Sequence, residues 1–160
     1  MKDGLFAPED PQTEYFSRSD ATHVLGSFSA HGFQLDGQQW PSVEHYYQAM
    51  KFTDASYQEK IRLATSPAMA RKLGRTRFKR IRRDWPEVKT AYMTRAVYTR
   101  CRSHPTLAKA LLNNPAKLVE NSQYDYYWGC GRDRRGKNNY GLVLMNVRDK
   151  LRQEAQAQPG

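Results

Sequence analysis

Three polar residues just after a proline carry the first suggestion of chemistry. Ser42 follows Pro41 and precedes Val43, Tyr46, Tyr47 and Met50, an apolar series at i, i+3, i+4 and i+7 that predicts a helix with Ser42 as its N-cap. On that helix Glu44, Gln48 and Lys51 recur at i, i+4 and i+7, so a carboxylate, an amide and an amine share a face beside the apolar stripe. Glu44 falls in the first turn, where the helix macrodipole favours the ionised form. That suits a carboxylate that stabilises positive charge or acts as a base, whereas a general acid would need burial to override the dipole. Taken alone, the pair reads as an ordinary exposed Glu and Lys.

A second concentration is Asp125-Tyr126-Tyr127-Trp128-Gly129-Cys130-Gly131, followed by Arg132 to Arg135 and then Gly136-Lys137-Asn138-Asn139. Glycines allow close backbone approach, aromatic rings offer flat faces to a base, and cations with free amides suit phosphate. A nucleotide-like ligand would use all three, although an aromatic structural loop with a basic tip has the same composition. Trp85, just after an arginine run, either stacks on a base or plugs the core between helices, and its position favours the core. His23, His31, His45 and His104 lack the HxxxH spacing of a metal site, and no phosphate-binding Gly-Lys-Ser/Thr motif or Gly-x-Ser-x-Gly elbow occurs. Neither a metal nor a cofactor is expected.

These residues need a scaffold. The 160 residues, 39% hydrophobic, suit one compact domain. Nothing approaches the roughly 18 consecutive apolar residues of a membrane helix, Met1 to Gln12 lacks a signal core, and a cytosolic location without membrane contact is expected. Cys101 and Cys130 offer no disulfide framework or zinc spacing and are expected to be free thiols. The net charge of +10 is concentrated: residues 60 to 102 hold 14 Lys/Arg against Asp84 and Glu87, leaving −2 for the rest. Such a field attracts phosphate on a metabolite or on nucleic acid. It is equally consistent with a solvated, arginine-rich helical surface.

The patterns predict a hairpin turning at Asp36-Gly37 between residues 33–35 and 38–40, then the helix after Ser42. A helix near 55–64 and another from Pro67 follow, the latter ending at Gly74 as a left-handed C′ residue. A long helix capped by Asp84 runs to about Ser103, a short one spans 105–112, a strand 117–120, and an amphipathic helix runs from Leu142 to about Glu154. The expectation is a predominantly helical α+β fold with a single domain over 13–154, a frayed segment 1–12 and a flexible tail 155–160.

Trp40-Pro41-Ser42-Val43-Glu44-His45-Tyr46-Tyr47-Gln48-Ala49-Met50-Lys51-Phe52, together with Ala116-Lys117-Leu118-Val119-Glu120 and Tyr127-Trp128-Gly129 ahead of Gly136-Lys137-Asn138, closely resembles the NADAR family, whose best-understood bacterial branch is the riboflavin-intermediate N-glycosidase. The likeness runs from about Tyr15-Phe16-Ser17 to Leu151. It implies an α+β fold and hydrolysis of the N-ribosidic bond in early riboflavin-pathway pyrimidine phosphates, releasing ribose 5-phosphate and pre-empting metabolite damage. By match to the motifs, the family's functional glutamate, lysine and aspartate fall on Glu44, Lys51 and Asp125, and its tryptophans on Trp85 and Trp128. Two positions depart from the pattern: Ser27, in Leu25-Gly26-Ser27-Phe28, replaces an amide, and Cys130 replaces an acid.

A breaking base–ribose bond builds positive charge on the sugar and negative charge on the base. Glu44 is therefore expected to stabilise the sugar cation or activate water, with Asp125 as the second acid/base group. Alternatively, Lys51 forms an imine with ring-opened ribose. Trp85 and Trp128 would stack on the base or wall the pocket, Lys137, Asn138 and Arg75 would hold phosphate and ribose hydroxyls, and Ser27, Phe28, Gln48 and Gly129 would complete the substrate contacts. Glu44→Gln is expected to cost several orders of magnitude in turnover with the fold intact. The expected partner is a phosphorylated ribosyl metabolite, with nucleic acid a further partner for the basic region; the sequence leaves the oligomeric state open. Two other functions fit: removal of ADP-ribose from guanine in nucleic acid, and a non-catalytic module binding ADP-ribose or nucleic acid.

Overall fold

A computed structural model describes residues 12–158. In chain order the elements are β1 (Thr13–Phe16), β2 (Phe33–Leu35), β3 (Gln38–Trp40), α1 (Val43–Ala49), α2 (Ala55–Arg62), α3 (Pro67–Gly74), α4 (Trp85–Ser103), α5 (Pro105–Leu112), β4 (Lys117–Glu120) and α6 (Asn139–Ala157). This is the expected helix-rich α+β architecture. Expectations for residues 1–11 and for 159–160 lie outside the described residues.

The hairpin forms as predicted: β2 and β3 pair antiparallel around Asp36 and Gly37, both at positive φ (54° and 76°). Strand β1, which no periodicity signals, pairs parallel with β4, aligning Thr13 with Lys117 and Phe16 with Glu120. A parallel pair joining positions about a hundred residues apart brings the segment after Phe16 against the end of β4. Asn121 N–H donates to Phe16 O at 2.8 Å, so Arg18 and Glu120 become neighbours.

Helix α1 is the centre of the molecule. Ser42 caps it, its Oγ accepting from His45 N–H at 3.2 Å. Helices α2, α3 and α4 surround it. Not only the predicted stripe but all seven residues of α1 are buried, Glu44 and Gln48 among them, so the picture of an exposed polar face is overturned. Val43 and Tyr46 have no exposure, and each such apolar side chain contributes about 1.5–3 kcal/mol.

Three local expectations give way to tertiary structure. Gly74 is the last residue of α3 and does not adopt positive φ. It is small because Gln48 lies over it: a Cβ there would stand 2.0 Å from Gln48 Oε1. Asp84 precedes α4 without a side-chain cap bond, because its carboxylate is taken by Arg82 at 2.6 and 3.1 Å. Helix α6 starts at Asn139, ahead of Leu142, and continues to Ala157. Its start is set by Asn138, held at φ 53° while its side chain bonds the edge of β4.

Candidate active site

Glu44 enters the interior with its backbone N–H bonded to Ser27 O at 3.0 Å, which fixes the start of α1 against the 25–28 loop. Its side chain has no exposure and four donors. Oε1 accepts from Arg18 Nη1 and Ser27 Oγ, both at 2.7 Å; Oε2 accepts from Gln48 Nε2 at 2.7 Å and Arg71 Nε at 3.1 Å. Burial alone would raise its pKa, but the Arg18 and Arg71 guanidiniums, with the Gln48 amide, outweigh that and bring it to about 2. The group is a fixed anion, not a proton donor.

Above it opens a cleft of about 530 Å³ whose wall includes Arg18, Arg71, Arg75, Asp125, Tyr126 and Tyr127. Arg18 is itself buried, its main-chain N–H donating to Glu120 Oε2 at 2.8 Å. Asp125 caps the next turn, Oδ1 accepting from Tyr127 and Trp128 N–H at 3.0 and 2.8 Å, while Oδ2 lies 3.9 Å from Arg18 Nη2. One guanidinium thus stands between Glu44 and Asp125, groups whose proximity the sequence could not establish. A separate depression of about 350 Å³ beside His31 and His104 is lined by no carboxylate and no arginine or lysine.

Lys51 follows α1, donating from Nζ to Gly74 O at 3.2 Å, with Nζ 5.9 Å from the centre of the Tyr47 ring. Arg18 Cζ lies 6.0 Å from the centre of the same ring. Desolvation lowers the amine's pKa, Glu44 opposes the shift, and Arg75, Arg18 and Arg71 reinforce it, leaving about 8.

Other predicted site residues divide by location. Ser27 and Gln48 are buried partners of Glu44, and Gln48 Oε1 has no partner among the described residues. Phe28 carries the Arg71 guanidinium 4.4 Å from its ring centre. Arg75 lines the cleft. Trp85 and Trp128 both pack on Tyr47, at centroid distances of 5.2 and 5.4 Å, and are 7% and 4% exposed, so they brace the wall from behind rather than present an open face. Trp128 also donates from Nε1 to Tyr47 Oη at 3.0 Å. Gly129 is required because a Cβ would approach Glu120 Oε1 to 2.5 Å. Lys137 and Asn138 are not brought into the cleft; they line another depression with Tyr15 and Arg134, and the Asn138 amide is used up on Glu120 N–H and Leu118 O. Cys130 lines that same depression, so the departure at this position removes no acid from the arginine-walled cleft.

Arg18, Arg71 and Glu120 were missed. Arg18 directly follows the Tyr15-Phe16-Ser17 start of the resemblance, Glu120 closes the 116–120 motif, and Arg71 stands four residues before Arg75, which follows the last turn of α3. The basic region, read as one field, is divided. Arg71 and Arg75 serve the cleft, Arg100 is buried on Gly26 O and Leu25 O, and Arg82, Arg95 and Lys79 pair with Asp84, Asp36 and Asp54.

The chain is similar to known proteins over most of its length. A family profile described as NADAR domain matches residues 5–152. N-glycosidase YbiA of Escherichia coli is 40% identical over 89% of this chain and 90% of its own length. Its solution structure superposes with a TM-score of 0.83 at 39% identity, covering 93% of this chain and 90% of that one. N-glycosidase Npun_R5314 of Nostoc punctiforme is 42% identical over 80% of this chain and 85% of its own. Riboflavin biosynthesis protein VVA0006 of Vibrio vulnificus is 37% identical over 90% of this chain, which spans 40% of that longer protein.

Proposed function

The chain belongs to the NADAR domain family, and we propose that this N-glycosidase hydrolyses the N-ribosidic bond of ribosylamino-pyrimidine phosphates, the reactive early intermediates of riboflavin synthesis, releasing ribose 5-phosphate. The observation that carries the reading is a buried carboxylate, Glu44, bonded to two guanidiniums beneath a cleft walled by three. Such a site holds a phosphate at its mouth and offers negative charge to a sugar cation at its floor. Relatives named N-glycosidase, and one named a riboflavin biosynthesis protein, support the choice of bond and substrate.

In this scheme Arg71 and Arg75 take the phosphate. The ribose C1′ lies between Glu44 and Asp125, and the heterocycle lies along Tyr126 and Tyr127, whose side chains line the cleft. Glu44 stabilises the oxocarbenium charge as the C1′–N bond breaks. Asp125, half-buried and reachable from the cleft, accepts a proton from the attacking water, and the departing amine takes up a proton from solvent. Release of ribose 5-phosphate from these substrates, in the presence of a chelator, is the expected result; no release would turn the assignment to ADP-ribosylated guanine or to a binding role.

Lys51 offers a second route, because an amine with a pKa near 8 is substantially neutral at slightly alkaline pH. The neutral amine would attack C1′ of the ring-opened sugar, expel the pyrimidine amine and leave an imine that water hydrolyses. On this route kcat/KM rises with pH through about 8 and borohydride traps a ribosyl-lysine adduct that Lys51→Met abolishes. A flat profile without an adduct would leave the Glu44 and Asp125 route alone.

A further inference from the structure

Glu44 cannot meet a sugar cation as the structure shows it, because both its oxygens are saturated and it has no exposure. One donor has to leave. Three are fixed: Ser27 and Gln48 are fully enclosed, and Arg18 is buried, held through its main chain by Glu120 and through its side chain by Ser27. Arg71 is held least. It makes the longest of the four bonds, at 3.1 Å. Its Nη2 has no hydrogen-bond partner among the described residues. It is partly exposed and lines the cleft. Its guanidinium rests on the face of Phe28, 4.4 Å from the ring centre, a surface along which a planar cation slides while keeping its contact.

We propose that Arg71 is a phosphate-operated gate on Glu44: the substrate's phosphate draws the guanidinium off the carboxylate, and only then does Glu44 present an unscreened oxygen to C1′. This rests on reading the cleft as a phosphoribosyl site. At Glu44 itself two guanidiniums meet one carboxylate, a local excess of positive charge that opposes a developing sugar cation. Exchanging one N–H bond to Glu44 for a bidentate pair with phosphate removes that excess positive charge, with Arg75 as a second phosphate ligand. Binding energy from the remote phosphate is thereby spent at the reacting carbon, so phosphate raises kcat rather than only lowering KM. Arg71 acts through Glu44 and is a positioning residue.

The test uses the dephosphorylated ribosylamino-pyrimidine with and without inorganic phosphite. Wild type is expected to be activated saturably, by a factor on the order of 10, in keeping with typical coupling between two sites. Arg71→Met loses the activation and Arg71→Lys, which keeps the charge, retains part of it. A merely structural Arg71 would lower both rates and leave their ratio unchanged, and that outcome overturns the gate. So does an unresponsive wild type that still hydrolyses the phosphorylated substrate. A second reading needs no turnover: phosphite at neutral pH is expected to move the carboxyl ¹³C resonance of Glu44, identified by its loss in Glu44→Gln, in wild type but not in Arg71→Met. If the phosphorylated substrate is not hydrolysed, the functional reading fails, and the resonance still decides the gate: a stationary signal overturns it.

Discussion

Glu44→Gln is expected to remove at least about 10³-fold of turnover, the scale of losing a preorganised electrostatic partner of the transition state, and to destabilise the protein as well. The amide keeps size but leaves Arg18, only 5% exposed, and Arg71 without their anion. Removing one member of a buried pair typically costs about 3–5 kcal/mol. The variant is expected to fold as the wild type does, with a lower unfolding midpoint. The pH dependence follows with a definite sign. Glu44 has a folded pKa of about 2, below its ordinary 4.5, so its contribution is fully present above pH 4.5 and is lost as the pH falls toward 2. Taken across that interval it amounts to roughly 3 kcal/mol, in accord with the pair-breaking figure. Urea unfolding of both proteins at a series of pH values checks it: the stability gap narrows over that acid window. An equal gap at all pH values would show that Glu44 is not the counter-ion, and wild-type turnover in the variant would remove it from the mechanism.

Arg18→Met carries the second largest effect. The side chain is the shared partner of Glu44, Ser27 and Asp125, so its loss leaves Glu44 with one cation and uncouples the two carboxylates. A destabilisation of about 3–5 kcal/mol is expected, as for any broken buried pair, together with loss of turnover as severe as in Glu44→Gln. Combining the two changes separates charge pairing from packing. With Glu44 neutralised, the cost of also losing Arg18 falls, so the double variant is expected to be more stable than the two single losses added together, by about 0.5–3 kcal/mol. Strict additivity, read from unfolding curves of all four proteins, would mean that the 2.7 Å contact contributes nothing to stability.

Much of the architecture is local and was therefore legible. A helix capped by Ser42, a hairpin over Asp36-Gly37 and an α5 opened by Pro105 follow from periodicity and turn chemistry that neighbouring residues set for themselves. Spacing put Glu44 and Lys51 on one helix face, and the family resemblance gave them and Asp125 their expected roles. What the sequence left open was burial. The face bearing Glu44 and Gln48 reads as solvated because both are polar, yet α2, α3, α4 and the 25–28 loop pack against α1 and bury it. No helical period reports how many neighbours a helix will have. Partnership across the chain was equally closed to a local reading. Arg18 meets Glu44 and Asp125 only because β1 and β4, far apart in sequence, pair in parallel, and the same pairing places Glu120 under Arg18. Sequence by itself determined which groups could do chemistry. Tertiary structure decided their charge state and access, because both depend on desolvation and on counter-ions delivered from distant segments.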